Sequence, residues 1–152
     1  MIINNLSDLP IEVHFVDDNK EPVAPPSYDF VLEYFTHPEY KIVRASKING
    51  VYSNCSLKDG VLHCSFDNPK LGPGRLFSRK TFFIPDDTFP DRKFKFVVVK
   101  ELDVDIAPWP ADEASVLPES IIDETPVALF VKILTLENGH LLMTEDGKLI
   151  II

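Results

Sequence analysis

The amino-acid sequence predicts an all-β protein whose antiparallel strands pack as a sandwich or a barrel. Apolar and polar residues alternate over short stretches, turn signals recur at a spacing of roughly 8–12 residues, and the composition favours sheets. The 152 residues include 13 prolines and 11 phenylalanines but only 6 glycines. Proline disfavours helix interiors, and aromatic residues fit strands. The length suits one domain, or one domain with a small appendage.

Charge and hydropathy exclude several classes of partner. The chain has 15 lysines and arginines against 24 aspartates and glutamates, a net charge of −9. This balance disfavours binding to nucleic acid phosphates. No stretch approaches the ~18 apolar residues of a membrane span, so we expect no membrane insertion. The first residues lack the basic and apolar regions of a signal peptide, and we expect folding in a reducing cytosol.

Alternation and turn dipeptides divide the first two thirds of the chain into strands. The dipeptides Asn49-Gly50 and Asp59-Gly60 favour two-residue type I′ turns, and they predict three successive strands in one meander. The segment 67–74 is punctuated by proline and glycine and predicts a loop, and 85–91 predicts a long turn. The predicted strands cover residues 11–16, 27–36, 40–46, 51–57, 61–66, 75–84 and 92–99, the last continuing in part to residue 106.

The turn at residues 59–60 also predicts a register. Paired residues on either side of it have numbers that sum to 119, so Cys55 lies opposite Cys64. The nine-residue spacing matches no metal or redox motif, and we expect two reduced cysteines that behave as small apolar residues. The face of these strands that we expect in the core carries Val51, Cys55, Leu57, Leu62, Cys64 and Phe66.

The chain changes character near residue 107. Residues 107–126 contain four prolines, and the stretch from Glu101 to Pro126 has eight acidic residues with no lysine or arginine. We expect a linker, an arm, or a loop lying over the sheet. The predicted domains are a β-sandwich docking domain over 1–106, an acidic Pro-rich linker or arm over 107–126, and a C-terminal β-meander or oligomerisation segment over 127–152.

The C-terminal segment contains a short repeat. Residues 137–141 read Glu-Asn-Gly-His-Leu, and residues 145–149 read Glu-Asp-Gly-Lys-Leu. Each copy combines a tight turn with a leucine, which predicts a three-stranded meander; the alternative is a stub of the β-repeats used in oligomeric stalks. An exposed apolar strand edge would aggregate, so we expect the last strand to pair within the chain or with a neighbouring subunit.

No motif in the sequence predicts catalysis. The four histidines have no metal-ligand spacing, and no nucleophile elbow, phosphate-binding loop or dinucleotide fingerprint is present. Acid pairs such as Asp123-Glu124 lack the calcium-loop pattern and are expected to be solvated. We therefore expect no enzymatic activity, no catalytic or metal-binding residue and no cofactor.

Protein surfaces are the better candidates for function. Trp109 stands between two prolines in the acidic segment, where a large amphipathic side chain on a stiff backbone suits an interface, or docking on its own domain. A glycan-binding role, with Tyr52 or Trp109 stacking on sugars, is the alternative. The candidate interface residues are Trp109, Val127, Leu129, Val131, Leu141, Leu149 and Ile151.

The order and spacing of several segments resemble a known module. They resemble the N-terminal module of virion proteins from tailed phages and prophages of gut Bacteroidales, including crAss-like phages. The resemblance covers about residues 10–95, and in many relatives a collagen-like or fibrous region follows the module. The segments that carry it are residues 28–36, 50–55, 59–68, 71–76, 84–86 and 89–91.

This resemblance implies an immunoglobulin-like layout. Together with the strand and turn pattern, it leads us to expect an all-β, immunoglobulin-like antiparallel sandwich with a C-terminal β-meander extension. It further implies a structural virion protein, made in the host cytoplasm, that anchors a head or tail fibre or decorates the capsid. Its expected partners are other virion proteins and itself, as a dimer or trimer. The sequence departs from the pattern after residue 107, where it has no Gly-X-Y stalk. An adaptor, a fibre base or a capsid decoration is therefore expected rather than a long fibre.

Overall fold

The computed structural model describes residues 1–37, 41–107 and 120–126, and the pairing of three further strands near the C-terminus. Within these residues the secondary structure consists of strands. In chain order the strands are β1 (Ile2–Asn4), β2 (Leu9–Val16), β3 (Asp29–Thr36), β4 (Ile42–Ile48), β5 (Val51–Ser53), β6 (Cys55–Lys58), β7 (Val61–Phe66), β8 (Gly74–Pro85), β9 (Lys93–Ala107), β10 (Ile121–Pro126), β11 (Lys132–Leu136), β12 (Gly139–Met143) and β13 (Leu149–Ile151).

Strand order confirms the all-β sandwich and follows the order of an immunoglobulin-like domain. One sheet has the order β1-β9-β8-β3-β4-β5, and the second has the order β10-β2-β7-β6. In the variable-type immunoglobulin fold, strands G, F, C, C′ and C″ form one sheet and A, B, E and D form the other. Taking β2 to β9 as B, C, C′, C″, D, E, F and G reproduces both orders, and β10 occupies the edge where strand A would lie.

Two edge pairings differ from the antiparallel expectation. β1 runs parallel to β9, and β10 runs parallel to β2. Both sheets are therefore mixed. The chain reaches β10 only after it has completed strand G, so the edge beside β2 is filled by a late segment in place of an N-terminal one.

β10 lies inside the segment that we expected to form a linker or arm. Its residues alternate, with Ile121, Asp123 and Thr125 buried and Ile122 and Glu124 exposed. This is the pattern of an edge strand that covers a core with one face. The sandwich therefore extends beyond residue 106, and it includes an acidic residue that we expected in solvent.

The strand predicted over residues 51–57 is broken in two. Asn54 adopts a left-handed backbone conformation with φ of 58°, which separates β5 from β6. β5 pairs with β4 in the first sheet, whereas β6 pairs with β7 in the second. The predicted three-stranded meander is thus wrong, and the chain crosses between sheets at this point. Two residues of its expected core face, Val51 and Leu57, are exposed.

The two tight turns form as predicted. Asn49 and Gly50 have φ of 52° and 78°, and Asp59 and Gly60 have φ of 53° and 78°. Positive φ at both central residues is the mark of a type I′ turn, and asparagine, aspartate and glycine tolerate it best. The second turn sets the predicted register, with Cys55 opposite Cys64.

Aromatic side chains fill much of the space between the two sheets. Phe30 lies 6.0 Å from Phe15 and 6.2 Å from Phe82, measured between ring centroids. All three rings are buried. These contacts join β2 of the second sheet to β3 and β8 of the first, so the core is the interior of a sandwich. Aliphatic residues from both sheets complete it, among them Leu9, Ile11, Val13, Leu32, Leu62, Leu76, Leu102, Val104 and Ile106.

The predicted C-terminal meander is confirmed by the pairing of β11, β12 and β13. β12 pairs antiparallel with β11 on one side and with β13 on the other. The first copy of the repeat, residues 137–141, overlaps the start of β12. Among the residues described, no helix has the length and hydrophobicity needed to cross a membrane.

Candidate functional site

A buried group of polar side chains, here called the interlayer cluster, lies between the two sheets. It consists of Tyr34 on β3, Ser78 and Lys80 on β8, and Asp123 on β10. Each occupies an inward position in the alternation of its strand. Tyr34, Ser78 and Asp123 have no exposed surface, and Lys80 is 1% exposed. A lysine and an aspartate this deep in a protein are rare unless they are paired.

Both carboxylate oxygens of Asp123 accept hydrogen bonds. The Tyr34 hydroxyl donates to Oδ2 at 2.9 Å, and the Lys80 ammonium donates to Oδ1 at 2.9 Å. Lys80 also donates to the Ser78 hydroxyl at 3.1 Å. At the rim, the Nζ atom of Lys100 lies 3.6 Å from Asp123 Oδ1 and donates to the backbone carbonyl of Glu124. The cluster therefore joins three strands from both sheets.

Burial and charge set the ionisation of this cluster. Burial lowers the pKa of Lys80, and the negative charge of Asp123 opposes that shift. Burial raises the pKa of Tyr34 well above its ordinary value, and the Asp123 carboxylate adds to the effect. The tyrosine hydroxyl therefore keeps its proton and remains a donor at all physiological pH values. These directions are those of an ion pair in a poorly solvated interior.

The interlayer cluster is arranged to hold β10 against the first sheet. Its members are all buried, and the two oxygens of Asp123 are already bound. Breaking a buried ion pair by removing one partner typically costs about 3–5 kcal/mol, because an unpaired charge is left behind. The cluster thus favours this position of β10 in the second sheet, since it sets the Asp123 carboxylate against the buried Lys80 ammonium.

A second ion-pair group lies on the outer face of the first sheet. Glu33 on β3 accepts hydrogen bonds from Arg44 on β4 at 2.7 Å and from Arg79 on β8 at 2.9 Å. These arginines are its register partners on the two neighbouring strands. Burial opposes ionisation of Glu33, but the two arginines outweigh it and hold its pKa below the ordinary value.

The two cysteines are free thiols on neighbouring strands of the second sheet. Cys64 is buried, and Cys55 is half-buried and donates to the Ser46 carbonyl at 3.5 Å. A hydrogen bond between the two side chains raises the pKa of Cys64, as does burial, and it lowers the pKa of Cys55. Cys55 is therefore the more reactive of the pair.

Arg75 forms ion pairs with three acidic residues near the end of β9. Arg75 lies within 3.2 Å of carboxylate oxygens of Glu101, Asp103 and Asp105. The Asp103 side chain is 93% exposed. Within the described ranges, histidine, cysteine, aspartate and glutamate side chains form no group of three that could hold a metal ion.

Most of the predicted interface residues fall outside what the structure describes. Four of the seven lie outside the described residues, and the other three lie on described strands of the C-terminal sheet. Of these, Leu141 pairs with Ile151, and Leu149 pairs with Met143. Their role at an interface stays a prediction. The four outside the described residues are Trp109, Val127, Leu129 and Val131.

The alternative glycan residue Tyr52 lies on β5 and is half-buried. The ammonium of Lys47 sits over its ring, 5.9 Å from the centroid. A ring face that a lysine of the same sheet already covers is less suited to stacking on a sugar.

The interlayer cluster was missed from the sequence, although two signals for it were present. Lys80 occupies an inward position in a strand where Phe82 and Ile84 are also inward. Asp123 alternates with Ile121 and Thr125 in the same way. Opposite charges at inward positions of the strand predicted over residues 75–84 and of the alternating residues 121–126, which we had expected to form a linker or arm, indicate a buried pair. Because the two residues are 43 positions apart, local sequence patterns do not show that Lys80 pairs with Asp123.

Comparison of the chain with protein-family models, curated proteins and solved structures found no match.

Proposed function

We propose that this protein is a non-enzymatic structural component of a tailed-phage virion, which anchors a head or tail fibre or decorates the capsid through protein contacts. The strand order of the sandwich carries the proposal. The resemblance to virion modules covers about residues 10–95, and this stretch holds nearly all of β2 to β8, whose order is that of an immunoglobulin-like domain. Sequence pattern and strand order thus favour the same kind of docking module.

The path of the chain out of the sandwich supports an anchoring role. β10 pairs with β2 from Ile121 to Pro126, and Asp123 fixes it to the opposite sheet. Whatever follows Pro126 in the chain is therefore attached to the sandwich through a strand with a buried ion pair. Such an attachment suits a protein whose C-terminal segment holds a partner or carries a load.

The partners in this proposal are other virion proteins and further copies of the same chain. Binding by sheet edges and faces needs no cofactor. The site of action is the assembled particle, which the protein would reach from the host cytoplasm.

Mass spectrometry of purified particles tests the proposal. Virions induced from a host that carries the gene are separated on a density gradient, and each band is quantified against the major capsid protein. We expect the protein to sediment with particles at a fixed ratio to capsid. A control strain that expresses the chain without the other virion genes should leave those fractions empty. Particles without this chain would contradict the proposal.

A further inference from the structure

The outer edge of β9 is the longest exposed strand edge in the described part of the chain. β9 pairs with β8 along most of its length. On its other side, β1 pairs only with Asp105, Ile106 and Ala107. Between Lys93 and Leu102, no described strand pairs with this outer side. An edge of this length is a template for pairing with another strand.

The backbone of β9 is oriented for such pairing. At its paired end, the Asp103 carbonyl and the Asp105 amide face β1, where they bond Met1. The β8–β9 register shifts by two residues between Arg75 and Phe77, and a shift of two preserves the alternation of backbone groups. The amides and carbonyls of the odd-numbered residues from Lys95 to Glu101 therefore point away from β8, whereas the Lys93 amide already donates to the Asp91 carboxylate. Val97 and Val99, which lie in the middle of this edge, are 52% and 58% exposed.

The side chains on the outer face of this edge follow a self-complementary order. Two lysines come first, two valines lie in the centre, and two acids come last. Arg75 neutralises only part of the negative charge at this acidic end of β9, because its single positive charge is shared among three carboxylates. Lysine on an edge strand normally prevents pairing, but here an acid lies at the matching distance on the far side of the centre. The six residues are Lys93, Lys95, Val97, Val99, Glu101 and Asp103.

We propose that two copies of this chain pair antiparallel through the edges of their β9 strands, with Val98 on the two-fold axis. Residues whose numbers sum to 196 then face each other. This register sets Lys95 opposite Glu101 and Val97 opposite Val99, and Lys93 reaches Asp103 at the end of the ladder. The interface is isologous, as closed dimers require, and it joins the two first sheets into one continuous sheet.

Charge matching and contact between the valines together select this register over its neighbours. A shift that sets Val97 opposite Val97 places Lys95 against Val99, so one lysine loses its acid. The opposite shift also sets Lys95 opposite Asp103, but it places Val97 against Glu101, and it sets Lys93 opposite Asp105, which already pairs with β1. Cross-strand ion pairs stabilise antiparallel sheets, and like charges directly opposite destabilise them. Only the register about Val98 pairs both lysines with acids and keeps the valines together.

The proposal stands on β9 alone and goes beyond the virion role. It also locates self-association in the sandwich, whereas the sequence had suggested the C-terminal strands. The two proposals fail separately, because particle composition tests the virion role and the mass of the purified chain in solution tests the β9 dimer.

A charge-swap experiment tests the dimer on the full-length chain. Lys95→Glu sets one glutamate opposite Glu101 at each of the two symmetric places, and Glu101→Lys sets one lysine opposite Lys95 at each of them. Each single variant should raise the dimer dissociation constant at least about tenfold, because two symmetric attractions become repulsions. The double variant Lys95→Glu/Glu101→Lys should regain the dimer. Sedimentation velocity over a concentration series gives these constants, and thermal unfolding establishes that each variant is folded.

Mixing the two single variants gives the sharpest result. One chain then carries glutamate at positions 95 and 101 and the other carries lysine at both, so a heterodimer restores every pair. The exposed Lys58 on β6 serves as the matched control, since Lys58→Glu makes the same charge change away from the edge. We expect heterodimers from the mixture and a wild-type dissociation constant for the control. A monomeric wild type, or a Lys95→Glu variant that dimerises as the wild type does, would overturn the proposal.

Discussion

The two ion-pair groups of the first sheet lie on neighbouring strands but on opposite faces, and they differ in what they connect. The outer group sets Glu33 between Arg44 and Arg79, which are its direct neighbours in the strand register. The inner group sets Lys80 against Asp123, which belongs to the other sheet and to a strand 43 positions later in the chain. The outer pairs stay together as long as the first sheet exists. The inner pair exists only when β10 is in place.

Solvent makes the two groups unequal in energy as well. The Glu33 side chain is only 11% exposed, but Arg44 is 61% exposed and Arg79 is 27% exposed, so water reaches the arginine side of these pairs and screens their attraction to Glu33. Lys80 and Asp123 have no comparable access to water. Exposed ion pairs typically contribute up to about 1 kcal/mol, whereas breaking a buried pair costs several times more. The inner pair therefore controls the topology of the sandwich, and the outer group adjusts its stability.

The largest expected effect is that of Asp123→Ala. The variant leaves the Lys80 ammonium buried without its counter-charge and removes the acceptor of Tyr34. We expect the free energy of unfolding to fall by about 3–5 kcal/mol. Urea denaturation at pH 7 measures it. Hydrogen exchange should also show faster exchange in β2, because β10 covers that edge of the second sheet.

Two controls distinguish the effect of leaving a buried charge unpaired from the effect of removing any carboxylate. Asp103→Ala removes a carboxylate that is 93% exposed, and we expect a change within about 0.5 kcal/mol. The double variant Lys80→Met/Asp123→Leu removes both charges, and it should recover much of the stability lost in Asp123→Ala. If Asp123→Ala were as mild as Asp103→Ala, the contrast between inner and outer groups would fail.

A smaller effect is expected for Tyr34→Phe, which keeps the ion pair and removes one of its hydrogen bonds. Loss of a bond to a charged acceptor should cost about 2 kcal/mol. Urea denaturation of Tyr34→Phe beside Tyr52→Phe checks this, since Tyr52 is a half-buried tyrosine outside the interlayer cluster. If Tyr34→Phe and Tyr52→Phe lost equal amounts of unfolding free energy, the Tyr34 hydroxyl would contribute no more to stability than the hydroxyl of a tyrosine outside the cluster.

The Tyr34 pKa adds a test at alkaline pH. Folding raises this pKa above its ordinary value of 10.0, so the folded state holds the proton more tightly than the unfolded state does. The resulting stability is present below about pH 10 and is lost as the pH rises further. Because phenylalanine has no such proton, the difference in stability between wild type and Tyr34→Phe should narrow above that pH.

Local features of the fold were predictable, because they depend on residues close in sequence. Alternation located β2, β3 and β7, and the dipeptide Asp59-Gly60 fixed a register that the structure reproduces. The break at Asn54 was not predicted, because nothing in the alternation shows that one residue there adopts a left-handed conformation. A single backbone angle thus decided which sheet the following strand joined.

The candidate site was less predictable, because it depends on which segment fills an open edge. The alternation of buried and exposed residues over 121–126 is visible in the sequence. Local patterns do not show, however, that this strand pairs with β2 at the edge where strand A would lie. Lys80 and Asp123 are each a charged residue at a buried position, which is unfavourable alone, and the sequence does not show that the two residues pair. The predicted interface residues, Trp109 among them, stay predictions, since their role depends on partners outside the chain.

The smallest expected effect is that of Glu33→Gln on the outer group. The variant should lose about 1 kcal/mol at pH 7, because the amide carries no charge and its one carbonyl oxygen replaces only one of the two oxygens that accept from the arginines. The folded-state pKa of Glu33 lies below its ordinary value of 4.5. Its contribution is therefore present above pH 4.5 and is lost as the pH falls through the lower folded-state value. Urea denaturation at pH 7, 5 and 3 should show the wild type and the variant converging at the acid end.

Salt completes the comparison between the two groups. At about 1 M NaCl the screening length falls to about 3 Å, so the difference between wild type and Glu33→Gln at pH 7 should shrink. The loss in Asp123→Ala should persist at the same salt, because ions do not reach a buried pair. Glu124→Gln, which changes an exposed carboxylate on β10, is the control for general charge effects. If salt reduced both losses equally, Lys80 and Asp123 would be exchanging with solvent, and β10 would be opening in the native state.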